Sequence, residues 1–161
     1  MEFDVLVEIP KGTRNKYEVD PGTGRIHLDR TLFTATQYPA DYGYIEGTCG
    51  TGGTALDALV LVREPTFPGC LVLSRAIGLF RMRDEIGPTP KVLTVPTADP
   101  RLAYLQDITD LDRFLLLEIQ HFFEIYKAVE PGKTVQIDEE PWSGRAEAEA
   151  EIERAVERAR H

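Results

Sequence analysis

The chain has 161 residues, 42% of them apolar and 28% charged, the composition of one ordinary domain long enough to bury a core. Its formal net charge of −9 excludes nonspecific nucleic-acid binding, which needs a basic surface, and leaves room for a small anionic ligand held by local charge. The opening Met1-Glu-Phe-Asp has no leader pattern, and no apolar run approaches the ~18–20 residues that cross a bilayer, so a cytoplasmic protein without a membrane partner is expected.

Phe3 to Ile9 alternates as a strand, with Phe3, Val5 and Val7 on one face and Asp4, Leu6 and Glu8 on the other. Lys16–Asp20 and Arg25–Arg30 read as two strands joined by the Pro21–Gly24 turn, a hairpin. The Tyr38 segment carries too much Pro and Gly for a helix and reads as loop and short strand, followed by a Gly-rich loop from Cys49 to Thr54. Further strands are expected at Leu56–Val62, Cys70–Leu73, Ala76–Met82 and Lys91–Pro96, with a loop at Asp84–Pro90. Many short strands at close spacing suggest a β-barrel. Helix appears late: Leu111–Lys127 has apolar residues at Leu115, Ile119, Phe122 and Tyr126, with Asp110 as its N-cap. Pro131-Gly132 closes it, Lys133–Ile137 reads as a last strand, and Arg145–Arg160 as an Ala- and Glu-rich helix with Ala148, Ile152 and Ala155 on its apolar stripe. With no linker and no repeat, residues 1–161 make a single α+β domain. Cys49 and Cys70 have no metal or redox spacing and are expected as free thiols.

The stretch Tyr38-Pro-Ala-Asp-Tyr42-Gly-Tyr44-Ile, together with Glu8-Ile-Pro, Lys16-Tyr-Glu18, Asp29-Arg30, Leu56-Asp57, Met82-Arg-Asp84-Glu85, Lys91-Val and His121-Phe-Phe-Glu-x-Tyr126-Lys127, resembles the family I soluble inorganic pyrophosphatases over nearly the whole chain. The resemblance implies a five-stranded OB-like β-barrel with two main flanking helices, and a homo-oligomer, hexameric as in most bacterial relatives. It also implies two sets of working groups. One is a shell that grips phosphate oxygens, matched here by Lys16, Arg30, Tyr38, Tyr42, Lys91, Tyr126 and Lys127, with Glu8 and Glu18 at the rim. The other is a ring of carboxylates for several Mg²⁺ ions. Of that ring Asp57 and Asp84 match, while Gly52, Thr54 and Thr89 stand where the family carries acids.

Taken alone, the tyrosines also read as core aromatics, and the Cys49–Thr54 loop lacks the Gly-Lys-Ser/Thr ending of a P-loop. With three acids replaced and four cations kept, the expectation is an enzyme repurposed to another small anionic metabolite, a phosphate ester or polycarboxylate, with diphosphate hydrolysis weak or absent. Tyr42, Asp57, Lys91 and Tyr126 are then the catalytic candidates, and Mg²⁺ is at most weakly bound by Asp57 and Asp84, with no other cofactor. Two rivals are a non-catalytic phosphate binder or partner subunit, and a working Mg²⁺-dependent pyrophosphatase in which Glu46 or Glu85 substitutes for the missing acids.

Overall fold

A computed structural model describes all residues from Met1 to His161. Eight strands and two helices form an α+β, OB-like fold. The strands are β1 (Phe3–Ile9), β2 (Asn15–Val19), β3 (Ile26–Thr31), β4 (Asp41–Ile45), β5 (Asp57–Val60), β6 (Leu71–Asp84), β7 (Lys91–Pro96) and β8 (Val135–Gly144). The helices are α1 (Arg113–Ile125) and α2 (Arg145–Ala159). β1, β4, β5, β7 and β6 pair in that order, and β6 pairs back onto β1, so five strands close into a ring. β8 adds to β6 outside it, and β2 and β3 pair only with each other.

The period of two in β1 is obeyed: Val5, Val7 and Ile9 are buried while Leu6 and Glu8 are only partly covered. Two buried clusters result. One gathers Tyr38, Leu59, Phe80 and Leu93 with Ile119, Phe122 and Phe123 of α1. The other gathers Val5, Ile45, Val60 and Val92 with Ala148, Ile152 and Ala155 of α2, residues spaced four and three apart and so on one helical face.

Three elements differ from expectation. Asp112, not Asp110, caps α1, its side chain accepting from the Phe114 N–H. Asp110 is drawn into a capping box with Asp107 around a 3₁₀ turn at Ile108–Asp110. The two strands expected at 70–73 and 76–82 are one bulged strand of 14 residues. The last strand runs on to Gly144, well past Ile137. Its Asp138-Glu-Glu-Pro stretch lies at a partly exposed edge, which suppresses any apolar alternation and tolerates Pro.

Gly43, between two tyrosines of β4, is required by close approach. A Cβ there would lie 1.9 Å from the Leu6 carbonyl oxygen and 2.9 Å from the Val7 Cα of β1, backbone that cannot yield without parting the two strands. Gly43→Ala is therefore expected to destabilise the fold by more than about 3 kcal/mol, measured as the shift in the urea unfolding midpoint; an unchanged midpoint contradicts the β1–β4 packing described here.

Candidate functional site

β5 and β7 run parallel, and their register sets Asp57 directly beside Lys91. Lys91 Nζ lies 2.6 Å from Asp57 Oδ2 and 2.9 Å from Thr89 Oγ1, and its side chain is only 3% exposed. The same carboxylate oxygen accepts from the Tyr42 hydroxyl at 2.8 Å. The ammonium also sits 5.4 Å from the Tyr42 ring centre and 5.7 Å from that of Phe123, a favourable place for a desolvated cation. Asp57 Oδ2 thus takes all these donors, and Oδ1 is left over.

The C-terminal end of α1 delivers the next groups. Tyr126 stacks on Phe122, which packs on Tyr38, and Tyr38 on Tyr42, with ring centres 5.2, 4.6 and 5.6 Å apart. Burial, and after it the Asp57 charge, pushes the Tyr42 phenol well above its ordinary range. Burial likewise dominates at Tyr38 and Tyr126, which also rise. All three are neutral hydrogen-bond donors at physiological pH. Lys127 Nζ lies 3.8 Å from both Asp84 and Glu85. Burial draws its ammonium down, against the pull of those two acids.

On the hairpin, Lys16 pairs with Glu18 and Asp29 at 3.3 and 3.4 Å, and Arg30 pairs with Asp29 and, at 2.7 Å, with Glu130. Glu8 is placed by its hydrogen bond from the Val19 N–H, 2.9 Å. From sequence, Asp29 had no role beyond its place in the Asp29-Arg30 match, and Glu130 had none. Their only signal was an acid beside a shell cation, for Asp29, and an acid three residues after one, for Glu130. Asp41, within the tyrosine motif, is fully buried and serves the fold, accepting from the backbone N–H groups of Lys11 and Thr66.

A cavity of about 340 Å³ opens beside Asp57, lined by Gly50–Gly52, Thr54, Asp84 and Thr89 among others. Asp57 and Asp84 are its carboxylates; Glu46 lies on a different cleft, with Tyr44 and Thr48, and Glu85 is taken up by Lys133 and the Thr134 N–H. No three His, Cys, Asp or Glu side chains converge to hold a metal by themselves. Two carboxylates completed by substrate phosphate oxygens do fit magnesium, which is commonly bound in that way.

The four cations kept in the sequence are not free in the structure. Lys16, Arg30, Lys91 and Lys127 are paired with six carboxylates, Glu18, Asp29, Glu130, Asp57, Asp84 and Glu85. The acids still outnumber the bases when Lys133, which shares Glu85, is counted. These pairs leave the four cations without an excess of positive charge to offer a polyanion.

A family model described as inorganic pyrophosphatase matches residues 5–160. An inorganic pyrophosphatase of Streptomyces coelicolor is 62% identical over 158 residues, covering 98% of this chain and 96% of that one. One of Corynebacterium glutamicum is 51% identical, covering 98% of each. Among solved structures, the inorganic pyrophosphatase of Thermus thermophilus superposes with a TM-score of 0.96 at 42% identity, over 99% of this chain and 92% of that one. These similarities overturn the expectation of an enzyme repurposed to another anion with diphosphate hydrolysis weak or absent: nearly full-length relatives at 62% and 51% identity carry the name inorganic pyrophosphatase. Nor do they show a lost or weakened metal site; Asp57 and Asp84 both line the cavity.

Burial raises the Glu8 carboxyl from 4.5 to about 7, outweighing the Val19 N–H, with the Asp57 and Glu18 charges adding to the rise. The folded state thus keeps a proton that the unfolded state releases between pH 4.5 and 7. Stability from this group is full below pH 4.5 and lost as pH rises through 7. Urea unfolding without added metal should show native stability falling across that window by up to roughly 3 kcal/mol relative to Glu8→Gln; parallel pH profiles for the two proteins contradict the assignment.

Proposed function

The chain belongs to the family I soluble inorganic pyrophosphatases, and on that premise we propose that it hydrolyses inorganic diphosphate to two phosphates in a magnesium-dependent reaction. The observation that carries the proposal is the 62% identity to a pyrophosphatase across 98% of the chain. The geometry supports it through side chains suited to each part of the task.

Lys16, Arg30, Lys91 and Lys127 hold the phosphate oxygens by charge-assisted hydrogen bonds. Tyr38, Tyr42 and Tyr126, kept neutral by burial, donate to oxygens and orient the substrate without adding charge. Glu8 and Glu18 bound the pocket on the hairpin side. Asp57 and Asp84 would hold magnesium together with the substrate, and Asp57 Oδ1 is free of the donors gathered on Oδ2. When bound there, magnesium supplies charge neutralisation and Lewis-acid polarisation of the phosphoryl group. Water adds to one phosphorus, the bridging oxygen leaves with the other phosphate, and the water's proton passes to the released phosphate. Lys91, fixed by Asp57 and Thr89, and Tyr42 are placed to stabilise charge that grows on the phosphoryl oxygens.

The same proposal includes a cytoplasmic homo-oligomer, a hexamer by resemblance. Exposed Phe114 and Leu117, three apart on α1, support an interface on that helix.

The test is phosphate release from inorganic diphosphate by the purified protein. Release is expected with magnesium and is lost on chelation, and Asp57→Ala should lower kcat/KM by about a hundredfold or more. A folded native protein that releases no phosphate at any magnesium concentration would falsify the proposal.

A further inference from the structure

The β2–β3 hairpin that carries Lys16 and Arg30 stands outside the closed ring of strands, so something must hold its cations against the rest of the site. Glu8 of β1 does so for β2 through the Val19 N–H. For β3 the tie is Glu130, on the turn just after α1, whose N–H donates to the Lys127 carbonyl. Glu130 Oε1 lies 2.7 Å from Arg30 Nε, with the two side chains 4% and 19% exposed. The contact joins Arg30 of the hairpin to the helix end that bears Tyr126 and Lys127, and the Tyr38 phenol lies within the field of both partners.

The pair is poorly built for stability alone. Glu130 Oε2 is buried with no hydrogen-bond partner, and Arg30 Nε, though close to Oε1, has no in-line acceptor. A buried carboxylate left half-satisfied costs stability. A charge pair in van der Waals contact but imperfectly aligned does, however, fix where the guanidinium sits while leaving its remaining N–H groups for another anion.

Resting on the reading of the site as one for diphosphate, we propose that Glu130 is a positioning residue for substrate: it sets Arg30 against the Tyr126–Lys127 end of α1 so that both sides grip the same diphosphate. Glu130 touches no substrate itself. Without it, Arg30 is held by Asp29 alone, on its own hairpin, and the tie between the hairpin and the end of α1 is lost.

The experiment measures affinity for imidodiphosphate, an analogue with a nitrogen bridge that resists hydrolysis, by titration calorimetry with magnesium present, with steady-state KM and kcat for diphosphate, and Tm, for the native protein, Glu130→Gln, Arg30→Lys and the double variant. Loss of a charged partner should raise the analogue Kd and the diphosphate KM by about tenfold in Glu130→Gln, with kcat within about threefold of native. The double variant should be no worse than Arg30→Lys alone, because the two residues act as one unit. Multiplying losses in the double variant, or native Kd in Glu130→Gln, overturns the inference. Should Glu130→Gln fail to fold, Glu130→Asp keeps the charge one methylene further back. It is expected to raise KM severalfold at native Tm, and an unchanged KM overturns the inference equally. A native protein that neither binds nor hydrolyses diphosphate overturns the proposed function and this inference with it, whereas native turnover indifferent to Glu130 overturns this inference alone.

Discussion

A buried ammonium must have a counter-charge, and most of the site is arranged around that requirement at Lys91. Removing a lysine from water without a partner costs several kcal/mol or neutralises it. Here the parallel register of β5 and β7 supplies Asp57 at 2.6 Å. Thr89 and Tyr42 then satisfy the pair from two further directions, and the rings of Tyr42 and Phe123 flank the cation. Strand pairing and site chemistry are thereby one constraint: a slip of β5 by a residue would bury an unpaired lysine and turn the apolar side chains of the strand to the wrong face.

Much of the fold was legible because its signals are local. The alternation in β1, the turn between β2 and β3 and the apolar stripe on α2 each lie within a few residues. The N-cap of α1 was misplaced because Asp107, Asp110 and Asp112 all offer the same chemistry, and only packing decides which one caps the helix and which closes the 3₁₀ turn. β6 was read as two strands because Ser74 and Arg75 interrupt the apolar run in sequence, although both pair with β7. The end of β8 was invisible because an edge strand bearing Asp138, Glu139, Glu140 and Pro141 has no apolar alternation to read.

The site was legible as a set of residue types and not as a set of pairs. Resemblance singled out Lys16, Arg30, Lys91 and Lys127, yet their partners Asp29, Glu130, Asp57 and Asp84–Glu85 are fixed by contacts between elements as distant in sequence as β3 and the turn after α1. Counting carboxylates on two loops, at Gly52, Thr54 and Thr89, left out the acids that other elements bring to the cations, and so misjudged the charge of the site.

That sum has a physical consequence for how a diphosphate is held. Two unit charges 4 Å apart interact by about 4 kcal/mol at an effective dielectric constant of 20, so each carboxylate in excess over the cations opposes a multiply charged anion appreciably. Opening the ion pairs to free the lysines does not remove the difficulty, because the displaced acids stay nearby and Lys91 has almost no solvent to turn to. Asp57 and Asp84 would hold a divalent cation, which would supply positive charge where the excess acids oppose the anion. The Lys91–Asp57 contact uses Oδ2 alone. A site whose positive groups are already paired with its own acids suits an anion that brings a divalent cation with it better than a bare one, which is the physical sense of the magnesium-dependent reaction proposed above.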